Sequence, residues 1–155
     1  MFDMMESSGF EGFVTVTDLW DGGLKMIPEL SGVYMVLRVS DQQPEFLEVG
    51  SGGHFKGKEP NVPVDVLKAN WVKETPVLYI GKATSLRKRI SQYLRFGQGK
   101  PVGHWGGRYI WQLADAQELI FCWMPVDGDP DAVETEMISR FREHYGSRPF
   151  ANLTK

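Results

Sequence analysis

The stretch LYIGKATSLRKRISQYL, residues 78–94, constrains this chain more than any other part of it. Val77–Gly81 is apolar, β-branched and aromatic, and it ends on glycine, so it reads as a strand closed by a turn. Thr84 or Ser85 can cap the helix that follows, because a side-chain oxygen there accepts an otherwise unpaired first-turn N–H. Leu86, Ile90 and Leu94 recur every four residues and give that helix one apolar side. It runs to about Phe96, and Gly97 and Gly99 end it.

Similar signals mark the other elements. Gly32–Val39 (GVYMVLRV) follows a Pro-containing turn and reads as a strand, and so does the apolar run Glu118–Pro125, with the pattern of burial on both faces. Asp129-Pro130-Asp131 supplies a cap, a first-turn proline and acids at the positive end of a last helix. That helix reaches about Tyr145, where Gly146 can take the left-handed stop. Short helices are expected around Thr17–Lys25 and over Val64–Trp71. The order β, β, α, β, α predicts an α+β domain with helices packed on a short sheet. Residues 1–155 are expected to form one such domain, with 1–30 as an N-terminal extension and 41–75 as an insert.

Net charge is −3, which taken alone argues against a polyanionic partner. The distribution reverses that inference. Between Glu74 and Asp115 there is no acid, while Lys82, Arg87, Lys88, Arg89, Arg95, Lys100 and Arg108 all fall there. A local cationic face suits phosphate binding, since affinity depends on charges near the contact rather than on the sum. Cys122 is the only cysteine, which excludes an internal disulfide framework and a cysteine-built zinc cluster, so a reducing cytoplasm is the expected setting. The N-terminal residues lack the basic and apolar pattern of a secretory leader. No apolar run approaches the ~20 residues that cross a bilayer, and no membrane partner is expected. The stretch GSGGHFKG, residues 50–57, lacks the Gly-Lys-Ser/Thr ending of a Walker loop.

Gly32-Val33-Tyr34, the 78–94 segment with Tyr79-Ile80-Gly81, a helical Glu134 and the terminal Pro149-Phe150-Ala151-Asn152 occur in an order that resembles the GIY-YIG nucleases, especially the N-terminal nuclease domain of bacterial excinuclease C. The resemblance covers residues 31–39 and 76–152. It implies a small three-stranded sheet flanked by helices, with the insert between the first two strands. It also implies a DNA endonuclease that hydrolyses phosphodiester bonds with one divalent cation, Mg²⁺ or Mn²⁺. The catalytic set it implies is Tyr34, Tyr79, Lys82, Arg89, Tyr93, Glu134 and Asn152, with Glu134 as the metal ligand.

The residue types suit that chemistry. A tyrosine titrates near ~10 and needs a cation nearby before it accepts a proton from water at neutral pH, and Lys82 could supply that field to Tyr34 or Tyr79. Arg89 offers a planar fork that fits two phosphate oxygens, and it lies one turn before Tyr93 on the same helix face. Glu134 shares a stripe with Ile138, Phe141 and Tyr145, whereas Glu136 precedes Arg140 by four residues, as a surface ion pair does. Glu134 is therefore the better metal ligand. Arg87, Lys88, Arg95, Lys100, His104 and Arg108 are the candidate nucleic-acid contacts. Trp105 and Trp111 read as core residues first and as base-stacking surfaces second.

Two features depart from the pattern. Tyr34 and Tyr79 lie 45 residues apart, so a long insert replaces a short hairpin. No separate DNA-binding domain is expected, so site choice is expected from the insert, a homodimer or a partner protein. The alternative function is a catalytically inactive nucleic-acid-binding module that uses the basic face over 82–108.

Overall fold

A computed structural model describes residues 2–154, with side chains over 5–154. In chain order it contains α1 (Phe2–Ser7), β1 (Glu11–Thr15), α2 (Val16–Trp20), β2 (Gly32–Leu37), α3 (Val64–Asn70), β3 (Val77–Ala83), α4 (Leu86–Gly97), β4 (Ile120–Pro125) and α5 (Pro130–Tyr145). Four strands form one antiparallel sheet in the order β1-β4-β2-β3.

The expected three-stranded sheet is thus corrected to four. The added strand, β1, pairs with the outer side of β4 and lies within the expected N-terminal extension. Its sequence, EGFVT, hides it: the register skips between Gly12 and Val14, and Phe13 sits there at φ 58°. A bulged strand carrying glycine has no period-2 pattern for local reading to find.

The central strand β2 is buried at every position, and its alternate side chains serve two separate cores. Tyr34 and Val36 join Phe121 and Trp123 on the side covered by α4, together with Leu86, Ile90 and Leu94. Val33, Met35 and Leu37 join Cys122 and Ile80 on the side covered by Ile138 of α5. Each fully buried Leu, Ile or Val contributes roughly 1.5–3 kcal/mol relative to exposure, which fixes both helices against the sheet.

Both helix starts follow the sequence. Ser85 accepts the Lys88 N–H at the start of α4, and Asp129 accepts the Asp131 N–H at the start of α5. Gly146, at φ 81°, ends α5. The expected helix at 17–25 divides into α2 and a 3-10 turn, Gly23–Met26.

The insert is anchored rather than loose. Phe46 bridges to Leu113, and buried Gln112 donates to the carbonyls of Leu47 and Val62 while accepting the Val62 N–H. No helix among the described residues is long and apolar enough to cross a membrane.

Candidate functional site

Tyr34 lies in the middle of β2, directly opposite Gly81 of β3. That pairing explains the glycine. A Cβ at position 81 would lie 2.5 Å from Tyr34 Cζ, 2.6 Å from its hydroxyl and 2.7 Å from Tyr79 Cε2, so only a bare backbone lets the two rings meet. Gly32 is required for a similar reason, since a Cβ there would lie 2.2 Å from the Met124 carbonyl oxygen. A register shift in β3 turns Leu78 and Tyr79 toward the α4 side, leaving Val77 and Ile80 on the other.

The centroids of the Tyr34 and Tyr79 rings are 5.9 Å apart, and Tyr93 of α4 lies 6.4 Å from the first and 5.4 Å from the second. His104 completes the cluster. Its ring stacks on Tyr93 at 3.6 Å and 7°, and its Nε2 lies 2.6 Å from the Tyr34 hydroxyl. The Tyr93 hydroxyl donates to the Gly107 carbonyl at 2.6 Å. Arg89 Nη1 donates to the Gly103 carbonyl at 2.7 Å and to Gln92 Oε1 at 3.1 Å.

Burial controls the protonation of this group. It raises the Tyr34 phenol well above its ordinary value; Tyr79 pushes in the same direction and Arg89 opposes. Tyr93 is raised well above its ordinary value by burial, then by its two tyrosine neighbours, again against Arg89. Burial first, and then the Arg89 charge, keeps His104 well below the usual imidazole value, against a smaller upward pull from its own backbone. Tyr34, Tyr93 and His104 are therefore neutral near pH ~7. Tyr34 is 1% exposed and Tyr93 and His104 are 0% exposed, whereas Tyr79 is only partly buried.

A cleft of about 490 Å³ opens beside this cluster, lined by Lys82, Thr84, Ser85, Lys88, Arg89 and Gln92 from the β3–α4 side and by residues 129–131 of the α5 start. A larger groove of about 770 Å³ lies between residues 38–44 and 71–76 and holds none of the candidate residues. The smaller cleft gathers one guanidinium and two ammonium groups, from Arg89, Lys82 and Lys88. Lys82 pairs with Asp131 at its rim. Glu134, one turn further along α5 from Asp131, is 7% exposed, while Glu136 pairs with Arg140 at 2.8 Å on the outer side. Among the described residues no group of three or more His, Cys, Asp or Glu is arranged to hold a metal. A single buried carboxylate fits a hard cation such as Mg²⁺, which keeps most of its water, and does not fit a zinc-type cage.

The remaining expected residues are placed by their contacts. Asn152, expected among the catalytic groups, has both ends of its amide used by Ile80: Nδ2 donates to the carbonyl at 2.9 Å and Oδ1 accepts the N–H at 3.0 Å. It brackets the outer edge of β3 and so supports Tyr79 through the backbone. His104, expected to meet nucleic acid, is instead enclosed. Arg87, expected on the nucleic-acid face, donates to the carbonyls of Ile27 and Lys25 and pairs with Glu29, tethering the segment before β2.

Arg108 stacks on Trp105 and Tyr109, with its Nε buried and unpartnered, and burial lowers its pKa. Lys88, Arg95 and Lys100 remain exposed. Gln92 and Asp131 join the site without being expected there from the sequence. The spacing of Gln92, close after Arg89 on one helix, is the signal that could have found it, whereas Asp131 reads as a helix-start acid alone.

Over 69 residues, 44% of its length, the chain is 30% identical to UvrABC system protein C of Nautilia profundicola. The match takes in only 11% of that relative, so the chain corresponds to a small part of a much longer protein. No family model matches the chain, and no solved structure matches it.

Proposed function

We propose that the chain is a divalent-metal-dependent endonuclease that hydrolyses DNA phosphodiester bonds at the cleft lined by Lys82, Lys88 and Arg89. The observation that carries this reading is the convergence of Tyr34, Tyr79 and Tyr93 from three elements, with Arg89 among them, beside a cleft lined by Lys82 and Lys88. The similarity to UvrABC system protein C supports it, as does the ordered motif set.

In this reading Tyr79 meets the attacking water. It is the one tyrosine of the three that solvent reaches, and its deeper neighbour Tyr34 is too buried to lose a proton. Arg89 and Lys82 stabilise the negative charge that grows on the phosphoryl oxygens. Glu134 would hold the cation, which supplies further charge neutralisation when bound. Lys88, Arg95 and Lys100 hold flanking phosphates and contribute affinity without chemistry.

Incubation with Mg²⁺ or Mn²⁺ and duplex, branched and single-stranded DNA tests the proposal. Wild type should cut at least one of these, and Glu134→Ala should not. Identical behaviour of the two proteins on every substrate would sink the catalytic reading. Salt-sensitive DNA binding without cleavage would instead favour a binding module built on the same exposed cations.

A further inference from the structure

Among the rings of the tyrosine cluster, His104 has a role that the motif set does not supply. It is 0% exposed, it stacks flat on Tyr93, and one ring nitrogen meets the Tyr34 hydroxyl at 2.6 Å. The other nitrogen, Nδ1, is buried and has no hydrogen-bond partner. These facts fix a direction. An enclosed N–H without an acceptor is rarer and costlier than an enclosed bare lone pair, so the proton belongs on Nε2. Nε2–H then donates to the Tyr34 oxygen.

Arg89, anchored on the Gly103 carbonyl, lies near enough for its positive charge to lower the Tyr34 pKa, and a guanidinium can only donate. With the His104 Nε2–H on the Tyr34 oxygen, the Tyr34 O–H is left to turn toward the neighbouring Tyr79, whose ring centroid is 5.9 Å away. We propose that His104 is a positioning residue: its Nε2–H orients Tyr34 so that the Tyr34 O–H points at the Tyr79 oxygen. A hydrogen bond donated to that oxygen stabilises its negative charge, which favours Tyr79 as the group that takes a proton from water.

The ring is suited to this duty because it stays neutral. Tyr34, Tyr79, Arg89 and Tyr93 surround it, and the one charged group among them is positive. An imidazolium is disfavoured both by burial and by Arg89. The catalytic consequence rests on the nuclease reading; the direction of the hydrogen bond does not.

Two measurements therefore keep them apart. Long-range ¹H–¹⁵N correlation on labelled full-length protein reads the His104 tautomer directly. The expected result is a proton on Nε2 and a bare Nδ1, without protonation at mildly acidic pH. A proton on Nδ1, or a charged ring, overturns the proposal whether or not any DNA is cut.

The second measurement compares His104→Phe, which keeps the stack and loses the donor, with His104→Gln, whose carboxamide can restore an N–H near Nε2. His104→Phe should lower kcat about tenfold with KM nearly unchanged, about the worth of one hydrogen bond. His104→Gln should recover most of that loss. Adding Tyr34→Phe to His104→Phe should cost little more, since both remove one linkage. Equal kcat for wild type and the Phe variant, or equal loss in the Phe and Gln variants, overturns the proposal. If wild type cuts no DNA, the nuclease reading falls and the tautomer alone decides the role of His104.

Discussion

Replacing Gly81 with alanine adds one carbon at the most crowded point of the tyrosine cluster. That carbon would sit 2.5 Å from Tyr34 Cζ, whereas ordinary contact begins near 3.4 Å, so the ring must retreat by about 1 Å. Retreat is blocked by the His104 hydrogen bond behind Tyr34 and by the packed rings of Tyr79 and Tyr93. Overpacking of this kind costs ~1–3 kcal/mol. Losing the Tyr34–His104 bond adds ~1 kcal/mol. Alanine recovers ~0.5–1 kcal/mol relative to glycine in a strand, because it restricts the unfolded chain.

The net expectation is a loss of about 1–3.5 kcal/mol. For a chain of 155 residues that lowers the melting temperature by roughly 2–14 °C. Urea unfolding followed by tryptophan fluorescence measures it as a lower midpoint with an unchanged slope. Gly106→Ala is the control, because nothing lies within 4 Å of its added carbon, and it should stay within about 0.5 kcal/mol of wild type. If Gly81→Ala is as stable as that control, the explanation of the signature glycine by the Tyr34 ring is wrong.

Asn152→Ala should cost about 1–3 kcal/mol and speed hydrogen exchange at the Ile80 amide, because both ends of the bracket on β3 disappear; unchanged exchange at Ile80 would contradict it. Single charge reversals at Lys88, Arg95 and Lys100 should weaken DNA binding and flatten its salt dependence by about one phosphate each, while Arg87→Ala should leave that slope alone and lower the urea midpoint instead. Stability should fall as pH rises above about 9, since burial lifts the Cys122 thiol to about 12 and the unfolded chain, with its ordinary thiol, loses the proton first; Tyr34 and Tyr93 add to the same loss at higher pH. On the acid side His104 acts with the opposite sign. Its depressed folded pKa contributes stability that is fully present above about 6.5 and lost as pH falls below it, and His104→Phe should flatten that limb of the urea midpoint against pH.

Local signals determined a large part of this protein. The strands β2, β3 and β4, the helix caps at Ser85 and Asp129, the left-handed stop at Gly146 and the buried stripe that carries Glu134 all depend on neighbours within a few residues. Periodicity and capping record such neighbours faithfully in sequence. The order of Tyr34, Tyr79, Arg89, Tyr93 and Glu134 was legible for the same reason.

What only the tertiary structure decided concerns partners far apart in the chain. β1 exists because β4 offers it an edge, and its bulge erases the alternation that would announce it. Arg87 is held by carbonyls about sixty residues earlier, Asn152 by a backbone 72 residues earlier, and His104 by a tyrosine 70 residues earlier. An arginine, an asparagine or a histidine looks the same in sequence whether its polar atoms face solvent or a buried partner. Enclosure separates those cases, because a polar atom removed from water must find its hydrogen bond inside the fold.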